Sequence, residues 1–213
     1  MIVGKLYLVV EGHGEVRAAL NLVTRLWRDL ALAEVICADP PIRGIALHTK
    51  AGMLKSCEIL RSKRDCDRAL ILRDEDDGCP ASRGPEAARW ILDAGLPFPV
   101  ATVLAHREFE AWFLPCVHLM AGRQLVDPNG GSRPGIQAGT TFSGVPEEIR
   151  GVKEWLSRNF AAGKSYKPTL DQLPLTRLLD FAVVRDAQMP SFGTLERALR
   201  FLATAVGHAV YPA

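Results

Sequence analysis

The segment DCDRALILRDEDDG, residues 65–78, places a short apolar run directly before a row of acids. Its apolar part, ALIL at 69–72, has polar neighbours on both sides, which is typical of a strand buried on both faces of a parallel sheet. Because side chains alternate along a strand, Asp74 and Asp76 should share one side while Glu75 points to the other. The segment therefore predicts a buried strand with two carboxylates at its carboxyl end.

These carboxylates have two interpretations. Acids this close repel one another unless a cation or water offsets their charge, and Asp74 and Asp76 together provide the oxygen ligands that Mg²⁺ prefers. The register also leaves Asp77 as an alternative to Asp76. The other interpretation is a solvated acidic turn, which is the more common role of such clusters.

The remaining chain alternates strands and helices. An apolar strand at 5–10 runs into Glu11, and a glycine-flanked turn leads to an amphipathic helix that begins near Glu15. Further strands are predicted at 35–38, with 45–48 as its extension, and at 98–104. Helices are predicted at 51–64 and 84–93. This alternation predicts an α/β fold with a parallel, flavodoxin-like sheet flanked by helices.

The predicted strand order brings distant acids together. In a flavodoxin-like sheet the first and third strands are neighbours at the point where ligands bind, outside the carboxyl ends of the strands. Glu11 follows the first strand, and Asp74 and Asp76 follow the third. We therefore expect these three side chains to meet in one crevice.

The composition changes after residue 120. Residues 121–145 are rich in glycine and proline, which predicts a loop or insertion. Helices are predicted at 146–160, in part of 170–181, and at 191–206 with Ser191 as its cap. The predicted organisation is thus an α/β core at 1–120, the insertion at 121–145, and a helical C-terminal extension packed on the core at 146–213.

Composition limits the classes of function. The 213 residues are 48% hydrophobic and 23% charged with a net charge of +2, as in a globular protein without a global field for nucleic acid or membrane. Five cysteines without a C-x-x-C pair indicate reduced thiols. No apolar stretch approaches the length of a membrane span. We expect a cytoplasmic protein.

Several motifs resemble the TOPRIM domain, the Mg²⁺-dependent catalytic module of topoisomerases, bacterial-type primases and several nucleases. VEG at 10–12 and DED at 74–76 are similar to its two acidic motifs, and Glu15 resembles the version in overcoming-lysogenization-defect (OLD) nucleases. REFEAW at 107–112, YKPT at 166–169 and PSF at 190–192 are similar to a small bacterial TOPRIM-like family of unassigned function. This likeness covers nearly the whole chain.

The resemblance implies a metal-dependent, nuclease-like protein that cleaves phosphodiesters with Mg²⁺ or Mn²⁺, in phage defence or in DNA or RNA processing. It implies that Glu11, Asp74 and Asp76 are metal ligands, and that Glu15, Glu108 and Glu110 are candidates for a second ion. Further site residues follow from the motifs and the predicted crevice. Glu11 is expected as a metal ligand or, instead, as the general base. Lys164 and Lys167 are expected to stabilise charge, and His13, Arg73, His106 and Arg107 are expected to contact substrate.

Other functions remain open. A non-catalytic TOPRIM-like module would bind nucleic acid or a protein partner, and a homo-oligomer is compatible with either role. A receiver-like protein also gathers acids at its first and third strands, and Asp74 would then be the phosphorylated residue. The chain has no Walker-type phosphate loop.

Overall fold

The structure is a computed structural model that describes residues 4–127 and 129–212; residues 1–3 of the predicted core, Pro128 of the predicted insertion and Ala213 lie outside this range. Its strands are β1 (Gly4–Val10), β2 (Val35–Cys37), β3 (Ile42–Arg43), β4 (Arg68–Glu75), β5 (Val100–His106), β6 (Gln124–Val126), β7 (Ser132–Pro134) and β8 (Val210–Tyr211). Its helices are α1 (Glu15–Asp29), α2 (Lys50–Arg61), α3 (Pro80–Asp93), α4 (Val117–Met120), α5 (Val152–Arg158), α6 (Pro168–Arg177), α7 (Phe181–Asp186) and α8 (Pro190–Thr204), with a 3₁₀ helix at Phe109–Cys116.

The central sheet is parallel and has the predicted flavodoxin-like order. Its strands follow the order β2-β1-β4-β5-β8, and β3 pairs with β1 beyond the end of β2. With β2 and β3 counted as two parts of one strand, this is the 2-1-3-4-5 order of flavodoxin-like folds. The predicted α/β class is confirmed, and β1 and β4 are neighbours as expected.

Apolar side chains on both faces of the sheet explain why it is buried. Leu70 and Leu72 of β4 face one hydrophobic cluster, which includes α1, the 3₁₀ helix and α8. Ala69 and Ile71 face the other cluster, which includes α2 and α3. Because successive side chains point to opposite faces, each residue of the apolar run is buried.

Several predicted elements differ in extent. Residues 45–48 form a turn and not a strand, because Ala46 has a φ of 53° and the main-chain N–H of Leu47 donates to Glu11. The helix predicted at 146–160 is reduced to α5, which leaves Glu147 outside it. The predicted insertion contains the β6–β7 hairpin, and the C-terminal segment adds β8 to the sheet.

In the two ranges that the structure describes, no helix combines the length and apolar character needed to cross a bilayer.

Gly14 lies where the start of α1 meets α6. A Cβ atom at Gly14 would lie 2.3 Å from Gln172 Oε1 and 2.6 Å from the carbonyl oxygen of Pro168. We expect Gly14→Ala to lower the free energy of unfolding by about 2 kcal/mol, because overpacking forces the two helices apart. Urea unfolding at constant pH measures this change.

Gly84→Ala is the matched control. A Cβ atom at Gly84, inside α3, would meet only Pro212 Cγ, at 3.5 Å, and alanine favours a helix interior. The control should be neutral or stabilising. Equal stability of the two variants would contradict the close packing of α1 on α6.

Candidate active site

Acidic side chains from distant parts of the chain meet at one edge of the sheet. Asp74 lies near the carboxyl end of β4, and Glu108 and Glu110 follow β5 at the start of the 3₁₀ helix. Glu15 opens α1, five residues after the end of β1. Because β1, β4 and β5 are parallel, their carboxyl ends lie at the same edge. We call Glu15, Asp74, Glu108 and Glu110 the carboxylate cluster.

The ammonium group of Lys153 lies among these carboxyl groups. Its Nζ is 3.1 Å from Glu108 Oε1, 3.3 Å from Asp74 Oδ2 and 3.6 Å from Glu110 Oε2. The main-chain N–H of Lys153 also donates to Glu108 Oε2 at 3.0 Å. This position, in the first turn of α5, was not among the sequence predictions. Burial alone would lower the pKa of Lys153, but the combined attraction of Glu110, Asp74 and Glu108 outweighs burial, so its pKa is raised.

Glu110 is the most buried member of the cluster. Tyr166 donates its hydroxyl hydrogen to Glu110 Oε1 at 2.7 Å, whereas Oε2 accepts no hydrogen bond. Burial raises the pKa of Glu110 to about 7, although Lys153 and the Tyr166 hydroxyl act in the opposite direction. The carboxyl group therefore has one buried oxygen that accepts no hydrogen bond and whose charged neighbour is Lys153 Nζ, at 3.6 Å.

Asp74 and Glu15 are also affected by burial and by their neighbours. Asp74 Oδ1 accepts from the main-chain N–H of Phe109 at 2.7 Å. Burial, followed by the negative charge of Glu110, raises the pKa of Asp74 well above its ordinary value, and Glu15 adds to this effect. Burial likewise raises the pKa of Glu15, whose Oε2 accepts from the main-chain N–H of Glu11 at 3.2 Å.

Glu11 lies at the exposed rim of this edge. Its Oε1 accepts from the main-chain N–H of Leu47 at 2.8 Å and lies 3.9 Å from His48 Nδ1. His13 and Arg43 contact each other, and both line an open pocket with Glu11. The rim therefore combines one carboxylate with side chains that can carry positive charge.

Asp76 and Arg107 lie at the ends of β4 and β5, outside the cluster. Asp76 is exposed, because β4 ends at Glu75 and strand alternation no longer positions its side chain. Its carbonyl oxygen accepts from Arg107 Nη1 at 2.6 Å. Arg107 has a φ of 69°, which turns the chain sharply from β5 toward Glu108.

The other predicted site residues are exposed or have their ion-pair contacts with groups outside the carboxylate cluster. Arg73 is buried on the opposite face of β4, where its Nη2 is 2.7 Å from Glu75 Oε2. His106 Nδ1 lies 3.8 Å from Glu147 Oε2. Lys164 and Lys167 are both exposed, on either side of the buried Tyr166.

The side chains of the carboxylate cluster are of the chemical type that binds a hard divalent cation. Three of the four carboxyl groups contact one ammonium group, which neutralises at most one negative charge, and Glu110 Oε2 has no hydrogen-bond partner. Oxygen-rich, anionic ligands of this kind suit Mg²⁺ or Mn²⁺. Within 4–127 and 129–212, no three His, Cys, Asp or Glu side chains are spaced to hold an ion as they stand. The carboxyl groups are arranged around Lys153.

Stability in EDTA should fall as pH rises from about 5 to about 7. The carboxyl group of Glu110 has an ordinary pKa of 4.5, and in the folded chain its pKa is about 7. The folded state therefore binds more protons in this window, and the free energy of unfolding decreases with pH, by at most about 3 kcal/mol. Urea unfolding at pH 5, 6, 7 and 8 measures the slope.

Glu110→Gln should flatten this slope, because the amide cannot ionise. Glu58→Gln, at an exposed position of α2, should leave the slope unchanged. A slope that is the same in Glu110→Gln and in the wild type would contradict the raised pKa of Glu110 in the folded protein.

The sequence of the chain matches one known protein family. The model for a domain of unknown function, DUF4276, matches residues 10–200. No curated protein and no solved structure gives a significant match. The matched range includes Glu11, the whole carboxylate cluster and Lys153, and it covers most of the chain. The chain belongs to the DUF4276 family.

Proposed function

We propose that this chain is a Mg²⁺- or Mn²⁺-dependent, nuclease-like enzyme that cleaves phosphodiester bonds in DNA or RNA, and that it acts in phage defence or in nucleic-acid processing. The observation that supports this proposal is the carboxylate cluster around Lys153, at the edge of the sheet where β1 and β4 are neighbours. Ligands bind at such an edge in flavodoxin-like folds. Burial is the main cause of the raised pKa values of Asp74 and Glu110, and carboxyl groups with raised pKa values are common at functional sites.

The cluster would hold the cation through carboxylate oxygens of Glu15, Asp74, Glu108 and Glu110. Glu11 and Asp76, at the rim, are available to complete the set directly or through water. When bound, the ion supplies positive charge that offsets the carboxylates and attracts a phosphodiester group. The TOPRIM resemblance remains part of this proposal and rests on the motifs alone.

The other roles in the proposed reaction fall to side chains of the protein. Glu11 is partly exposed and held by the Leu47 N–H, so it can orient a water and accept its proton. Lys153 is positioned to stabilise negative charge that develops on the phosphate. His13 and Arg43, on the open side of Glu11, are suited to bind neighbouring phosphates. Lys153 takes the role that the motifs gave to Lys164 and Lys167, because it is the lysine whose Nζ contacts the cluster.

A non-catalytic binding module is the second candidate function. Lys153 already contacts three carboxyl groups, and a site that is neutralised internally would need no metal ion. In this case the chain would bind nucleic acid or a protein partner, or associate with itself, without cleaving a bond.

A cytoplasmic location belongs to the same proposal. The five cysteines are all unpaired, which is the expected state in a reducing compartment.

Asp74→Asn should abolish nuclease activity, with a loss of at least about a hundredfold, because the amide carries no charge to balance Lys153 and is a weaker ligand for a divalent cation than a carboxylate. The measurement is cleavage of labelled single- and double-stranded DNA and RNA with Mg²⁺, with Mn²⁺ and with EDTA. Asp93→Asn, at the exposed end of α3, is the control and should cleave like the wild type. Cleavage that continues in EDTA, or in Asp74→Asn, would refute the metal-dependent mechanism.

Lys153→Met separates metal binding from activity. Without metal, the variant should lose about 2 kcal/mol of stability, because its carboxyl groups lose their counter-charge. Mg²⁺ or Mn²⁺ should then raise its melting temperature more than that of the wild type, because the ion no longer competes with the ammonium group. Differential scanning fluorimetry with and without each metal measures both effects.

Lys164→Met is the matched control for this experiment, because Lys164 is an exposed lysine outside the cluster. Its melting temperature and metal response should equal those of the wild type. If neither metal stabilises Lys153→Met, the cluster does not bind a cation and the binding-module function gains support.

A further inference from the structure

A cavity of about 450 Å³ lies beside β5, on the side away from β4. It is bordered by the N-terminal parts of α3 and α8 and by β8. The cavity exists because β8 is short: it pairs with β5 only at Val100 and Ala101. Beyond Ala101, no strand covers this side of β5 in the described structure, and Thr102, Leu104 and His106 line the space.

The walls of the cavity are mostly apolar and rigid. Pro80 and Pro85 of α3 lie on one side, Pro190 of α8 lies on another, and Leu104 and Tyr211 contribute further apolar surface. Proline rings and an aromatic ring provide flat surfaces that change little on binding. Such walls suit a flat, apolar body such as an aromatic ring.

Polar groups lie on the buried part of the wall. The Thr102 side chain is only 1% exposed, and its Oγ1 has no hydrogen-bond partner. A buried hydroxyl without a partner costs stability. A ligand with a donor or an acceptor at this depth would remove that cost, so Thr102 points to a ligand.

Glu147 provides a second buried polar group. Its Oε1 accepts from the main-chain N–H of Ser191 at 3.0 Å and from the Ser191 hydroxyl. Trp112 Nε1 donates to the same hydroxyl at 2.9 Å and fixes it. Glu147 Oε2 has His106 Nδ1 at 3.8 Å as its neighbour, so this oxygen can accept a hydrogen bond from a ligand.

A positive charge lies at the rim of the cavity. Arg197 is exposed, and its guanidinium group is held by two contacts, from Nε to the Tyr211 hydroxyl at 3.2 Å and from Nη2 to Thr194 Oγ1 at 2.9 Å. A guanidinium group fixed in this way is suited to a phosphate.

We propose that this cavity binds a nucleoside monophosphate. The phosphate would bind at Arg197, the base would lie between the prolines and Tyr211, and its polar edge would meet Thr102 and Glu147. The volume is within the range of small-molecule sites. The assignment does not require the carboxylate cluster to be catalytic, but if that cluster cleaves nucleic acid, the ligand belongs to the class of its products.

The test is isothermal titration calorimetry of the full chain with AMP, GMP, CMP and UMP. At least one of them should bind about tenfold more tightly than its nucleoside, than ribose 5-phosphate and than inorganic phosphate, because both the charge and the base contribute. Thr102→Val and Arg197→Gln should each weaken that binding by about fivefold or more. Thr102→Val removes a hydroxyl that has no partner, so the variant should fold normally.

Two controls make the result specific. Arg200→Gln removes another exposed arginine of α8, one that does not line the cavity, and should leave binding unchanged. Asp74→Asn should also keep full affinity. The proposal is overturned if none of the four nucleotides binds, if inorganic phosphate binds equally well, or if both cavity variants bind like the wild type. Binding lost in Asp74→Asn alone would place the nucleotide at the carboxylate cluster instead.

Discussion

The edge of the sheet at the carboxyl ends of β1, β4 and β5 depends on one interaction. This is the attraction between the Lys153 ammonium group and three carboxyl groups. Asp74, Glu108 and Glu110 come from one strand and from the segment after its neighbour, and they would repel one another without an opposite charge. Their burial makes this repulsion stronger than it would be in water. The same ammonium group attaches α5 to the sheet, so one side chain links the charge balance of the site to the position of a helix.

The segment between Glu147 and Lys153 connects the two sites of the molecule. Glu147 is bound to Ser191 at the start of α8, beside the cavity, and Lys153 is bound within the carboxylate cluster. Gly151, with a φ of 67°, lies between these anchors and begins α5 in a conformation that glycine adopts easily. The two ends of this short segment are therefore held by contacts at the cavity and in the carboxylate cluster.

The sequence was informative where local pattern controls structure. The ALIL run predicted β4, and the alternation of elements predicted a parallel sheet. Because parallel strands end at a common edge, the acids after β1 and β4 were expected there, and the resemblance added Glu108 and Glu110. The sequence pattern did not predict Lys153 as a site residue, because Lys153 lies in a polar helix turn and its partner Asp74 is 79 residues away in the chain. Glu147 resembled an ordinary acid of a first helical turn, but its carboxylate instead binds the start of α8. Such contacts depend on packing between distant segments, which periodicity does not record.

The two groups that contact Glu110, the Tyr166 hydroxyl and the Lys153 ammonium, both come from the part of the chain after residue 145. A ribosome completes the sheet strands that carry the acids before it makes either of these groups. For part of its synthesis the nascent chain therefore holds acids without their counter-charge, and these acids stay solvated or protonated until the later helices arrive. The site is in this sense assembled last, and shortening the chain from its C-terminal side would remove Tyr166 and Lys153 before it removed any carboxylate of the cluster.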